Sequence, residues 1–257
     1  MTILAETKPA APFAAFDINL VSIPHAIMTV TRAVRMQRGF VFCTVNLDHL
    51  VKLRTNPEFR QVYRRAEFIS ADGWPIVWRA RARGALVERS TGADLVEPLC
   101  RSFAWDSIPI YLIGPFADVQ ERAIRKLRAM IPELVIAGAE APVIGASPDP
   151  DLVSQIADRV NASGARVCFV SLGAPKQELL ADALARACPG RGFICTGAAL
   201  AFIGGSVRRA PVFVQRIGLE WLWRLAGQPR ALARRYLRCV YVFLLIAIGK
   251  DPVAGLS

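Results

Sequence analysis

The sequence is poor in metal-ligating side chains and in cofactor signatures. It has two histidines, His25 and His49, and six scattered cysteines (Cys43, Cys100, Cys168, Cys188, Cys195, Cys239) with no CxxC pair. A structural zinc site is therefore not expected. Three of the cysteines lie in apolar β-like runs, the pattern of reduced, buried thiols rather than of a disulfide framework. Neither GxGxxG nor GxxxxGK[ST] occurs, which removes the usual marks of dinucleotide and P-loop nucleotide binding. The opening MTILAETKPAAPF has no basic stretch followed by an apolar core, so no signal peptide is expected. The longest apolar run, Cys239 to Gly249, is about half of the roughly 20 residues a transmembrane helix needs. With 53% hydrophobic and 21% charged residues, disorder is excluded as well.

What is present reads as alternating strands and helices. Apolar or β-branched runs occur at 40–46 (FVFCTVN), 68–73 (FISADG), 108–114, 133–138, 166–173 and 192–197. Helical periodicity occupies the intervals between them, at 27–36, 57–68, 74–83, 92–100, 117–130, 151–162 and 175–187. Strands alternating with helices of this length predict an α/β, Rossmann-like fold, its largely parallel sheet flanked by helices. Runs as continuously apolar as VCFV predict burial on both sheet faces. The expected division is an N-terminal tail over 1–16, a Rossmann-like catalytic domain over 17–204, and a helical appendage over 205–257.

The appendage carries the charge. Between Gly204 and Lys250 stand nine basic residues against one acid, Glu220, which accounts for a surplus of eight in a net +11. Two helical stretches are expected there, PVFVQRIGLEWLWRLAG and PRALARRYLRCVYVFLLIAIG, with Pro211 and Pro229 in first turns and Gly227 at the break. Basic, tryptophan-bearing and amphipathic, they suit an anionic membrane surface. Trp221, Trp223, Arg234 and Arg235 are the candidate membrane or diphosphate contacts. Packing on the body with a solvated arginine face is the alternative.

In open parallel sheets, ligands bind beyond the carboxyl ends of strands. Those ends supply Thr44, Asn46 and Asp48, then Asp72-Gly73, Gly114-Pro115, the run GAPKQE from Gly173 to Glu178, and Thr196-Gly197. Asp72 is placed either to accept a proton as general base or to cap the helix that follows. GAPKQE sets a helix start behind a strand, favourable to an anion such as a diphosphate, with Lys176 adding charge. Arg89 is suited to bidentate pairing with a phosphate, and Asp94 to capping the next helix. Asp149-Pro150-Asp151 matches a metal-binding DxD in letters, but its place just before a helix favours capping.

The order TVN (44–46), ADGWPIVW (71–78), RSTGAD (89–94), GAPKQE, TGAALAFIGGSVRRAP (196–211), GLEWLWRL (218–225) and PRALARRYL (229–237) resembles the WecG/TagA/CpsF glycosyltransferase family, from about Asp17 to the tail. The resemblance implies metal-independent, inverting transfer from a UDP-sugar to a polyprenyl-diphosphate-linked saccharide. It implies Asp72 as catalytic base, Thr44 and Asn46 in the donor-sugar pocket, and donor contacts from Gln177 and Arg89. Arg224 and Arg230, and after them Arg234, would reach the diphosphate. The expected location is peripheral, on the cytoplasmic face of the plasma membrane, with no cofactor and no nucleic acid as partner; a homo-oligomer stays open. The sugars used in the family are glucose, N-acetylmannosamine and its uronic acid, for teichoic acid linkage units, enterobacterial common antigen or exopolysaccharide. Heavy use of Arg and Ala, the style of a GC-rich genome, makes teichoic acid less expected and leaves exopolysaccharide as the expectation. The competing expectations are a nucleic-acid-binding protein, from the basic segment, and a Rossmann oxidoreductase, disfavoured by the missing GxGxxG.

Overall fold

A computed structural model describes residues 10–256. Residues 1–9, the greater part of the expected N-terminal tail, lie outside the described residues. From Ala10 the chain is not a tail but an antiparallel hairpin, β1 (Ala10–Phe13) and β2 (Phe16–Ile18). Its Phe13, Phe16 and Ile18 are buried in the core, which the Pro/Ala-rich composition does not announce.

The sheet has six parallel strands: β3 (Phe40–Val45), β4 (Phe68–Ala71), β5 (Ile110–Ile113), β6 (Ile136–Glu140), β7 (Val167–Val170) and β8 (Gly192–Cys195), in the order β4-β3-β8-β7-β5-β6. This is the expected α/β, Rossmann-like architecture. Strand alternation builds two cores. Val41, Cys43 and Val45 of β3 face one layer, and Phe40 and Phe42 the other. On the first side pack α2 (Leu47–Thr55), α3 (Pro57–Arg65), α7 (Pro150–Ala162) and α8 (Lys176–Ala187). On the second lie α1 (Ile23–Arg35), α5 (Gly92–Trp105), α6 (Ala117–Met130) and the short α9 (Ala199–Gly204). All six cysteines are buried and free.

Local chemistry fixes the helix starts that matter to the strand ends. Asn46 ends β3 and caps α2, accepting from the N–H groups of Asp48 and His49, while His49 Nδ1 accepts from the Asn46 N–H. That reciprocal cap satisfies three otherwise orphaned donors. Helix α4 (Trp74–Ala82) starts at Gly73, whose φ of 120° lies in a region that favours glycine. Thr91 caps α5.

The expected single helix over 211–227 is divided. Helix α10 (Val212–Arg216) and α11 (Glu220–Gly227) are separated by Gly218, which lies so close to Trp74 that an added Cβ would come within 2.8 Å of the indole Cδ1. Helix α12 (Pro229–Ala247) then runs across α2 and α4. Its Cys239, Val242 and Ile246 are buried, and the last two join the body's core together with Val253 beyond the helix end. Its Leu237, Val240, Tyr241, Leu244 and Ile248 side form an exposed apolar stripe, Leu237 being 71% and Ile248 66% accessible. No helix among the described residues is long and apolar enough to cross a membrane.

Candidate active site

Asp72 stands one residue past β4, beside the end of β3. Its N–H donates to the Val45 carbonyl at 2.8 Å. The Asn46 amide donates through Nδ2 to Asp72 Oδ2 at 3.2 Å. Because Asn46 Oδ1 is occupied as the acceptor of the α2 cap, only the NH2 side of the amide is left to face the carboxylate. Asp72 is no helix cap: Gly73 holds that position and no side chain caps α4. Burial pushes the Asp72 carboxyl up to about 6, against the hydrogen bond from Asn46, with Glu220 adding to the rise, Arg89 opposing it and Asp94 adding again. A carboxylate so poised is ionised at neutral pH yet far more basic than an ordinary aspartate.

The loop before α5 is tied to the same strand end. The Ser90 N–H donates to the Ala71 carbonyl at 2.7 Å, and the Ser70 hydroxyl to the Ser90 carbonyl at 2.9 Å. This sets Arg89 near enough to Asp72 for its charge to oppose the rise of that carboxyl. Arg89 lies 3.4 Å from Asp94 and 3.8 Å from Glu220, the one acid of the basic segment. Arg209, from the RRAP run, pairs closely with Asp94 and lies 3.8 Å from Glu220. Asp94, expected as a cap, instead accepts the hydroxyl of the true cap, Thr91, at 2.8 Å and takes both arginines. Two cations and two anions thus join the body to the first turn of α11. Arg209 and Glu220 were not singled out by sequence, although both sit in the motifs RRAP and GLEW.

A second set of polar groups is sealed beneath. Gln177 is buried, accepting from the Gly197 N–H at 2.9 Å and donating to Glu178 Oε1 at 2.7 Å. His49 Nε2 lies 3.6 Å from the same oxygen. Burial pushes the Glu178 carboxyl up to about 7 and the His49 imidazole down to about 3, so His49 is neutral with its proton on Nε2. Together these groups brace the ends of β3, β7 and β8. Thr44, also buried, offers its carbonyl to the Tyr63 hydroxyl at 2.6 Å.

Other candidates make contacts of their own. Lys176 donates to the Ile144 carbonyl at 2.6 Å, holding down the loop after β6. Arg235 pairs with Asp48 at 2.9 Å and so ties α12 to α2. Burial opposes ionisation of Asp48, but Arg235 and Lys52 outweigh it and hold the carboxyl below the ordinary range. Arg224 lies one helical turn beyond Glu220 and lines, with Arg208, Trp223 and Gln228, an open groove of about 410 Å³. Arg230 and Arg234 are exposed, as are Trp221 and Trp223; Trp221 meets Tyr236 edge-on at 5.9 Å between α11 and α12. Asp149 caps α7 through the N–H groups of Asp151 and Leu152, which accounts for the DPD sequence without a metal. Among the described residues no three His, Cys, Asp or Glu side chains converge as metal ligands would.

The site is therefore a strand-end carboxylate, backed by an amide and fenced by arginines, under a helix from the basic segment. Residues 12–252 match the family model for the glycosyl transferase WecG/TagA/CpsF family. The match takes in the sheet, Asp72, the arginine cluster and α12, so the chain belongs to the WecG/TagA/CpsF family and is a glycosyltransferase.

Proposed function

We propose that the chain transfers a sugar from a UDP-sugar to a hydroxyl of a polyprenyl-diphosphate-linked saccharide, with inversion and without a metal, at the cytoplasmic face of the plasma membrane. The observation that carries this reading is Asp72, freed from any capping duty, held by Asn46 and pushed up to about 6. As the acceptor hydroxyl attacks the anomeric carbon opposite UDP, Asp72 takes its proton and the bond from that carbon to the UDP oxygen breaks. The electron pair leaves on the diphosphate, where Arg89, Arg224 and Arg230, with Arg234, stabilise the growing charge. The exposed stripe of α12 and the nearby Trp221 and Trp223 support a membrane-bound acceptor.

The test is transfer of a labelled sugar, from a panel of UDP-sugars carrying glucose, N-acetylmannosamine or its uronic acid, to a lipid-linked acceptor in membranes. A product with inverted anomeric configuration is expected from one donor. No transfer from any donor would refute the reading. Excess chelator is expected to leave the rate unchanged within twofold, since arginines supply the positive charge that a divalent ion provides in metal-dependent transferases. A loss of tenfold or more, restored by a divalent cation, would show that the arginines do not suffice.

A further inference from the structure

Glu220 is oddly bound. It sits 3.8 Å from Arg89 and 3.8 Å from Arg209, outside hydrogen-bond distance of both. Asp94, by contrast, takes a hydroxyl and the two guanidiniums. On Arg209 the Nε is buried and has no hydrogen-bond partner, and the Trp74 Nε1, under Gly218 on the same seam, is likewise buried and unpartnered. Unmade hydrogen bonds of buried donors are costly, and a charged donor is the costliest to leave so. The seam between the body and α11 thus pairs unused donors with a carboxylate that fills the space between two arginines without bonding to either.

We infer that Arg209 is a diphosphate-binding residue and that Glu220 is a displaceable counter-ion, occupying the place between Arg89 and Arg209 that a diphosphate takes when it binds. The inference rests on the donor reading above and deepens it. A diphosphate brings several anionic oxygens where Glu220 brings two, and its reach lets it bond both guanidiniums at once. Asp94 stays, keeping each arginine aimed. Displacing Glu220 leaves α11 held by its apolar contacts and by Gly218 against Trp74, so anion binding and the seat of the appendage are coupled.

The experiment measures binding of inorganic pyrophosphate, and separately of UDP, to the full chain by calorimetry at fixed ionic strength. Glu220→Gln is expected to tighten pyrophosphate by roughly three- to tenfold, as removal of a weak competing ion pair does. Arg209→Gln is expected to weaken it by about ten- to a hundredfold, with Arg209→Lys in between. Unchanged or weaker binding by Glu220→Gln would overturn the inference, because a purely structural carboxylate can only help. Should Arg209→Gln fail to fold, Glu220→Gln and Arg209→Lys decide alone. If pyrophosphate responds as expected and UDP does not bind, the anion site stands and the donor reading falls. If UDP binds and a UDP-sugar turns over while Glu220→Gln changes the binding of neither pyrophosphate nor UDP, the inference falls and the donor reading stands.

Discussion

Replacing Asp72 by Asn is expected to lower transfer by at least 10³-fold while UDP binding changes little, because the amide keeps the shape and the Asn46 neighbour but cannot accept the proton. Two further readouts separate this from a structural defect. In the unaltered chain kcat/KM is expected to rise with pH through an acid limb near 6, following ionisation of the free enzyme's base. The stability effect has the opposite sign. Because the folded-state value of about 6 lies above the ordinary 3.8, the folded state binds more protons between those values, and the stability contributed by this group falls as pH rises through that window. At neutral pH the ionised, half-buried carboxylate is therefore a burden. Removing its charge is expected to raise stability by about 1–2 kcal/mol once solvent contact is allowed for, or Tm by a few degrees. An inactive variant that also melts lower and loses UDP would point to scaffolding, and an active variant would end the base assignment.

The second large effect is expected at the outward face of α12. Leu237 and Leu244 stand seven residues apart on the exposed stripe, 71% and 55% accessible, and neither belongs to the body's core. Each leucine moved from water into a bilayer interface is worth about 1.5–3 kcal/mol. Leu237→Glu with Leu244→Glu also adds charge that an anionic surface repels. The pair is expected to reduce partition onto anionic vesicles by about 10²-fold or more, with the thermal midpoint unchanged. Turnover of a water-soluble acceptor analogue is expected to persist while turnover of a membrane-embedded acceptor falls. Undiminished vesicle binding would move the membrane contact elsewhere, and a drop in Tm would reveal hidden packing.

Much of the sheet was legible because most of its strands are short apolar runs buried on both faces, which leaves little room for another pattern; the half-exposed edge strand β6 instead lies at 136–140, shifted from the expected 133–138. Helix α2 was not. Thr44, Asn46 and Asp48 read as a polar strand end, and the cap that turns this stretch into a helix start uses the side chain of His49 in place of the usual Glu or Gln. Without α2, Asn46 is merely a candidate ligand; with it, the amide orientation toward Asp72 follows. The hairpin of residues 10–18 hides in a composition of alanine and proline, and its stability comes from Phe13 and Phe16 packing against distant residues such as Tyr63.

The site divides the same way. Asp72 could be picked out locally, as an acid on a strand end before a glycine. The arginine cluster could not, because Arg209 meets Asp94 across 115 positions of sequence, and a basic segment read on its own looks uniformly available for phosphate. Arg235 shows why: within its charge run it resembles Arg234, but its partner, Asp48, belongs to another part of the chain. Net charge describes a segment, whereas pairing depends on the fold.

The two-sided packing of α12 carries a geometric consequence. Val242 and Ile246 are embedded among the body's own side chains while Leu244 and Ile248 look outward, so the stripe cannot tilt or retract unless core packing is undone. On the proposed reading, the enzyme rides at a set height: lipid contact fixes how far Asp72 stands from the bilayer, and only a hydroxyl close to the anchored end of a glycan comes level with it. Chain length would then be selected by a ruler built into one helix, with no separate pocket needed to count sugars.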